Sequence, residues 1–150
     1  MDCPFCSESI LKAQFAESKH CRAVYNISPI LPGHSMVIPK RHFRSLADLP
    51  DEVYQDLMLF MRQVSEILQK AFQAAGINWT LQEGEEAGQT VPHLHFHLIP
   101  RQPADLPEPG DWYPKLREQQ VIDSAKRPRL SEKEMEEVVL WLRTYFEKHE

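Results

Sequence analysis

Hydrophobic residues recur along this chain with two periods, and the places where the period changes mark its elements. Between residues 51 and 75, Val53, Leu57, Phe60, Met61, Val64, Ile67, Leu68, Ala71 and Phe72 fall three or four apart, the spacing that puts them on one face of a helix. Pro50 stands near the start and Gly76 just past the end, so the pattern predicts one long amphipathic helix over 51–75 facing a core. A second helical stripe runs through Met135, Val138, Val139, Leu142 and Phe146. Ser131 and Glu134 make a capping box at its start, where Leu130 can staple to Met135. Short β-like runs occupy 21–27, 34–39, 77–83 and 92–99. Pro32-Gly33 suits the central positions of a type II turn, which makes the first two runs antiparallel neighbours. Residues 84–90 form the loop between the last two runs, and the four prolines within 102–114 predict an irregular path over the surface. The expected architecture is α+β, with an antiparallel sheet of about five strands, one long central helix and a C-terminal helix in a single domain spanning 1–150.

Residues 92–101 read Pro-His-Leu-His-Phe-His-Leu-Ile-Pro-Arg. On a strand, His93, His95 and His97 share one face while Leu94, Phe96 and Leu98 share the other and can enter a core. Such a row of imidazoles can serve a metal, a reaction or a solvated edge. Residues i and i+4 of a strand lie roughly 13 Å apart, whereas zinc holds each nitrogen at about 2.0–2.1 Å, so at most a neighbouring pair can share one ion. A solvated strand face more often carries Lys, Thr and Glu, so three unbroken histidines point to a reaction or to a metal held by a neighbouring pair.

Composition narrows the partners. With 17 Lys plus Arg against 22 Asp plus Glu the net charge is −5, which argues against broad nucleic-acid backbone binding. Any phosphate handled here has to be held by a few local donors. No run approaches the length of a membrane span, and the first residues have neither the basic start nor the apolar core of a signal peptide. A reducing cytoplasm is therefore expected, which suits an odd count of three cysteines and leaves the sequon at Asn26 without meaning.

Cys3-Pro-Phe-Cys6 has three readings: a redox pair, a disulfide or half of a zinc site. Redox motifs of this spacing sit where a strand enters a helix, and no strand precedes residue 3. A zinc site needs two further ligands, for which His42, just past the 34–39 run, and His93 stand out. Together they would close a Cys2His2 tetrahedron. Cys21, within a β-like run, reads as a small buried residue.

The run from His93 to Ile99 matches the pattern His-φ-His-φ-His-φ-φ, with φ apolar, and resembles the histidine-triad family of nucleotide hydrolases and transferases. The preceding segment, Leu81-Gln-Glu-Gly-Glu-Glu-Ala-Gly-Gln-Thr-Val91, is similar to that of the fragile-histidine-triad (Fhit) branch, as are Asn26, Pro32-Gly33-His34, Tyr113 and the helix ending at Phe146. The N-terminal cysteines look less like the animal Fhit proteins than like zinc-containing bacterial triad proteins and the related galactose-1-phosphate uridylyltransferases. By that resemblance Cys3, Cys6, His42 and His93 hold a structural zinc ion, and the triad fold is commonly a homodimer whose two sheets join into one.

The resemblance also implies roles. His95 is the nucleophile, attacking the α-phosphorus of a nucleotide and leaving a nucleotidyl-histidine that water cleaves. Neutral imidazole can do this near pH 7 once one nitrogen is free and the other donates to a fixed acceptor. His97, Gln89 and Thr90 would contact phosphate oxygens, Gln82 would lie near the scissile phosphate, His34 would orient the triad from behind and Asn26 would meet the ribose. Glu83, Glu85 and Glu86 read as a solvated acidic loop. The expected function is hydrolysis of dinucleoside polyphosphates such as diadenosine tri- or tetraphosphate. The alternatives are a nucleoside phosphoramidase or nucleotidyl transferase using the same histidine, and a nucleotide-binding signalling module that turns over slowly.

Overall fold

A computed structural model describes residues 3–108 and 128–148, so Tyr113 and much of the proline-rich stretch lie outside the described residues. Five strands, β1 (Gln14–Glu17), β2 (Cys21–Tyr25), β3 (Ser35–Pro39), β4 (Gly76–Leu81) and β5 (Phe96–Arg101), form one antiparallel sheet in the order β1-β2-β3-β5-β4. Helix α1 (Asp51–Ala71) and helix α2 (Glu132–Lys148) accompany it. Among the described residues no helix is long and apolar enough to cross a membrane.

The two sheet faces have different covers. The helix stripe of α1, including Leu57, Met61, Val64 and Leu68, packs with Ala23, Val37, Leu94, Phe96 and Leu98 in the main core, which Met135, Val139, Leu142 and Phe146 of α2 join. Val24, Met36 and Ile38 face the other way and are covered by Phe5 and its neighbours Cys3 and Ile10. The central strand β3 is therefore buried along its whole length. A sheet with one wet face would show clean alternation there, and this one does not.

Local signals act as their chemistry dictates. His34 N–H donates to Leu31 O at 3.1 Å across Pro32-Gly33, and Gly33 has φ +94°, the arrangement of a type II turn. Ser131 and Glu134 cap reciprocally, Oγ accepting from Glu134 N at 3.1 Å and the carboxylate accepting from Ser131 N at 3.0 Å.

The expected runs 21–27 and 77–83 end two residues early, at Tyr25 and Leu81, and three further differences are larger. Strand β1 has one buried residue in four, too little periodicity to announce itself, and it joins β2 through a register shift. Helix α1 stops at Ala71, four residues before the expected end. Ala74 N–H donates to Gln69 O and Gln73 N–H to Lys70 O, with Gln73 at φ +51°. This is a Schellman closure with glutamine in the left-handed position that glycine usually takes, while Gly76 opens β4. The ladder of β5 begins at Phe96 and not at residue 92.

Candidate active site and metal group

Although His93 and His95 precede the ladder, the alternation persists. Leu94 N–H donates to Phe43 O at 2.6 Å, which ties the segment to the chain at Phe43. Leu94, Phe96 and Leu98 enter the main core. The three histidines turn to the opposite face, where they are only 0, 5 and 4% exposed. A solvated edge is thereby excluded.

His93 faces the N-terminal knuckle. Its Nε2–H donates to Pro39 O at 2.9 Å, which leaves Nδ1 as the lone pair, 3.4 Å from Sγ of both Cys3 and Cys6. Nδ1 of His42 lies 3.4 Å from Cys6 Sγ, and all four ligand atoms fall within 4.8 Å of one another. In a tetrahedral site with zinc–sulfur bonds of about 2.3 Å and zinc–nitrogen bonds of about 2.05 Å, sulfur and nitrogen are separated by about 3.5 Å. The donor set therefore fits one such ion. The carbonyl behind His93 is the outer partner that fixes a metal-bound imidazole's tautomer. Burial, aided by the nearby His42, lowers the pKa of His93 and favours the neutral ring that ligation needs. Cys21 stands apart, fully buried in the core, with burial pushing its thiol up to about 12.

His95 donates from Nδ1 to the carbonyl of His93 at 2.8 Å. Burial lowers its pKa against that hydrogen bond, so the ring is held neutral with its Nε2 lone pair unprotonated. Behind it runs a relay. Ile30 N–H donates to Nδ1 of His34 at 3.1 Å, which puts the proton of neutral His34 on Nε2; that proton points to Nδ1 of His97 at 2.9 Å. His97 then carries its own proton on Nε2. One ring presents a nucleophilic lone pair and the next presents a donor, their centroids 5.1 Å apart.

The remaining expected residues divide. Gln82 is 5% exposed, donates to Thr80 Oγ1 at 2.7 Å and holds a buried Oε1 with no hydrogen-bond partner among the described residues, an acceptor that desolvation makes costly unless something else meets it. Gln89 is folded onto its own loop, Oε1 accepting from Gly84 N and Nε2 donating to Val91 O, while Thr90 is exposed. Asn26 is buried: its Oδ1 accepts from Ser28 N–H at 2.8 Å and its Nδ2 lies 3.4 Å from His34 Nε2, so it shapes the loop that carries His34.

Phe5 was not singled out from the sequence. Its ring stands edge-on to His95 with centroids 5.0 Å apart and to His93 at 5.7 Å, so the knuckle residue between the cysteines forms an apolar wall of the histidine face. The signal was its place inside Cys-x-x-Cys, where only the thiolates carry recognisable chemistry. A cavity of about 480 Å³ lies elsewhere, at the far end of β5, lined by Arg101, Asp105, Asn78 and Gly76 among others. Its guanidinium is already held by both Asp105 oxygens and by Asn78, and no triad histidine lines it.

Neutral, buried imidazoles on one strand face, backed by a directional relay, offer one ring nitrogen for attack and one N–H to meet developing charge. The family model of the HIT domain matches residues 8–104. The chain belongs to the HIT domain family. Bis(5'-nucleosyl)-tetraphosphatase [asymmetrical] of Schizosaccharomyces pombe is 35% identical over 91% of this chain and 90% of its own. Bis(5'-adenosyl)-triphosphatase of Dictyostelium discoideum is 37% identical over 85% of this chain and 80% of its own. Among solved structures, the Plasmodium falciparum diadenosine triphosphate hydrolase superposes with a TM-score of 0.72 at 26% identity, over 91% of this chain and 78% of that one.

Proposed function

We propose that this chain is a dinucleoside polyphosphate hydrolase that works through a covalent nucleotidyl-histidine on His95. The supporting observation is the fixed tautomer: with Nδ1–H committed to the His93 carbonyl at 2.8 Å, only Nε2 can attack. Nε2 forms a bond to the α-phosphorus as the bond to the bridging oxygen breaks, and ADP or ATP leaves with that oxygen. Water then attacks the same phosphorus, AMP departs and the imidazole is restored. Two easier displacements replace one hard one. His97, with its proton on Nε2, donates to a phosphate oxygen as charge builds, and His34 positions it. Gln82 is proposed to lie near the scissile group, where its buried Oε1 can accept from a donor such as the attacking water. Thr90 and Gln89 are proposed to contact phosphate oxygens, Gln89 by giving up its loop bonds. Asn26, buried beside His34, is the residue proposed to meet the ribose. Phe5 and Ile10 offer the nucleobase an apolar surface beside His95.

Zinc is the ion proposed for Cys3, Cys6, His42 and His93, since two thiolates and two imidazoles suit it; when bound it ties the N-terminal knuckle to the triad segment and has no part in the chemistry. Two thiolates of this kind suit the cytoplasm. The domain is proposed to be single over 1–150, and the outer edge of β4 to pair with a second copy, joining two five-stranded sheets.

Hydrolysis in heavy-oxygen water tests the mechanism. Label is expected on AMP alone, with retention at a chiral α-phosphorus because each in-line step inverts it. Label in ADP or ATP, or net inversion, would make His95 a general base. Cleavage of an adenosine phosphoramidate without cleavage of any diadenosine polyphosphate would keep the adduct and change the leaving group.

A further inference from the structure

Acidic side chains beside a phosphate site repel its substrate unless their oxygens are committed elsewhere, and Glu83 opens the loop that leads to the triad. Its carboxylate accepts the Leu46 backbone N–H at 2.5 Å, from a residue 37 positions away. Leu46 begins the 3-10 turn Leu46–Asp48, whose N-cap, Ser45, makes no side-chain capping bond. Glu83 supplies the missing acceptor from another part of the chain. Three residues earlier, Phe43 O accepts from Leu94 N–H at 2.6 Å. The short segment 43–46 thus holds the triad at one end and the loop at the other. Within the loop the bonds close on themselves: Ala87 and Gln89 N–H both donate to Gly84 O, Gly88 N–H to Glu85 O, and Gly84 N–H to the Gln89 side chain. A self-closed loop moves as one piece, so whatever holds its base sets the position of Gln89 and Thr90.

We propose that Glu83 is a positioning residue, bracing the 84–90 loop against the segment that supports the triad, in the hydrolase reading given above. It is a hydrogen-bond acceptor for Leu46 and not a contact to substrate.

The test is a double-mutant cycle. Glu83→Ala is expected to lower kcat about tenfold on diadenosine tri- or tetraphosphate, with AMP affinity within about twofold, because a small displacement of donors costs the transition state more than the ground state. Glu83→Gln keeps an acceptor oxygen and is expected to stay within about threefold of wild type. Leu46→Pro removes the donor and, with it, a partly buried leucine side chain that packs against the main core, a loss that Leu46→Ala, which keeps the N–H, reports alone; the position is the first of its turn, where proline is accepted, and Ser45 already has the extended φ −141°, ψ 163° that a following proline imposes. In the Leu46→Pro background, Glu83→Ala should then have no further effect. Additive losses, a Glu83→Gln variant as impaired as Glu83→Ala, or a lowered melting temperature with unchanged kcat would each overturn the brace. Amide hydrogen exchange at 84–89 reads it independently of turnover, and should speed up in Glu83→Ala and Leu46→Pro but not in Glu83→Gln. If wild-type protein cleaves no dinucleoside polyphosphate, the hydrolase reading falls while the exchange result still decides the brace.

Discussion

His95 and His97 are the same side chain two residues apart, yet each is held in the opposite tautomer. The His93 carbonyl takes the Nδ1 proton of His95, and the His34 relay offers a proton to Nδ1 of His97. That contrast predicts unequal variants. His95→Asn should lose at least about a thousandfold in kcat while AMP still binds, because affinity is shared among several donors. His97→Ala should lose less, since it removes charge stabilisation and not the nucleophile; equal losses in single-turnover experiments would contradict the division of labour. A second residue-scale prediction concerns acid. Arg101 holds the Asp105 carboxyl down at about 2, against an ordinary value of 3.8. A depressed carboxyl contributes stability that is complete above the ordinary value and lost as pH falls toward 2. The urea midpoint should therefore decline more steeply between pH 4 and 2 in wild type than in Asp105→Asn, and parallel profiles would assign the acid sensitivity to other carboxylates. The histidines were legible because alternation and an unusual residue type coincide. Phe5 was not, because an aromatic residue in a knuckle has no pattern of its own until the chain has folded back over β2 and β3.

Elements were legible wherever periodicity was long. Helix α1 and the Ser131 cap followed from spacing and from a reciprocal pair of side chains, whereas the end of α1 depended on a single left-handed residue. Glutamine at φ +51° carries a cost of about 1–2 kcal/mol that glycine avoids, partly offset by the extra freedom glycine gives the unfolded chain. Gln73→Gly should accordingly stabilise by about 0.5–1 kcal/mol, or raise the melting temperature by about 1–4 °C. Gly33 is the opposite case. A β-carbon there would stand 2.7 Å from Pro100 Cγ and 3.0 Å from Phe72 Cδ2, at φ +94°. Strain and overpacking each cost about 1–3 kcal/mol, so Gly33→Ala should destabilise by several times the gain at Gln73. Calorimetry of the two variants checks both signs, and a neutral Gly33→Ala would mean that the turn has room the structure does not show. Strand β1 escaped notice because four residues with one buried side chain contain no usable period.

At the scale of the molecule, alternation says which face a residue takes but not which strand lies beside it. The insertion of β5 between β3 and β4 is a long-range outcome of burying Leu94, Phe96 and Leu98 under α1, and no local signal announces it. The metal group is long-range in the same sense, since it joins residues 3, 6, 42 and 93. Its ligands come from three separate segments, so its binding free energy is also folding free energy. Removing zinc with a strong chelator, or replacing Cys6 with Ser, should lower the melting temperature substantially, and wild-type protein should hold about one ion per chain. The consequence should reach the reaction by two routes visible in the structure. His93 supplies the carbonyl that fixes the His95 tautomer, and Phe5, set between the two cysteines, packs edge-on to the same ring. Loosening of the knuckle should thus be accompanied by loss of the single Nδ1–H tautomer of His95, which nitrogen chemical shifts in the metal-free protein can record while it remains folded. An unchanged melting curve and unchanged shifts after complete metal removal would reduce the four residues to an ordinary cluster of polar side chains.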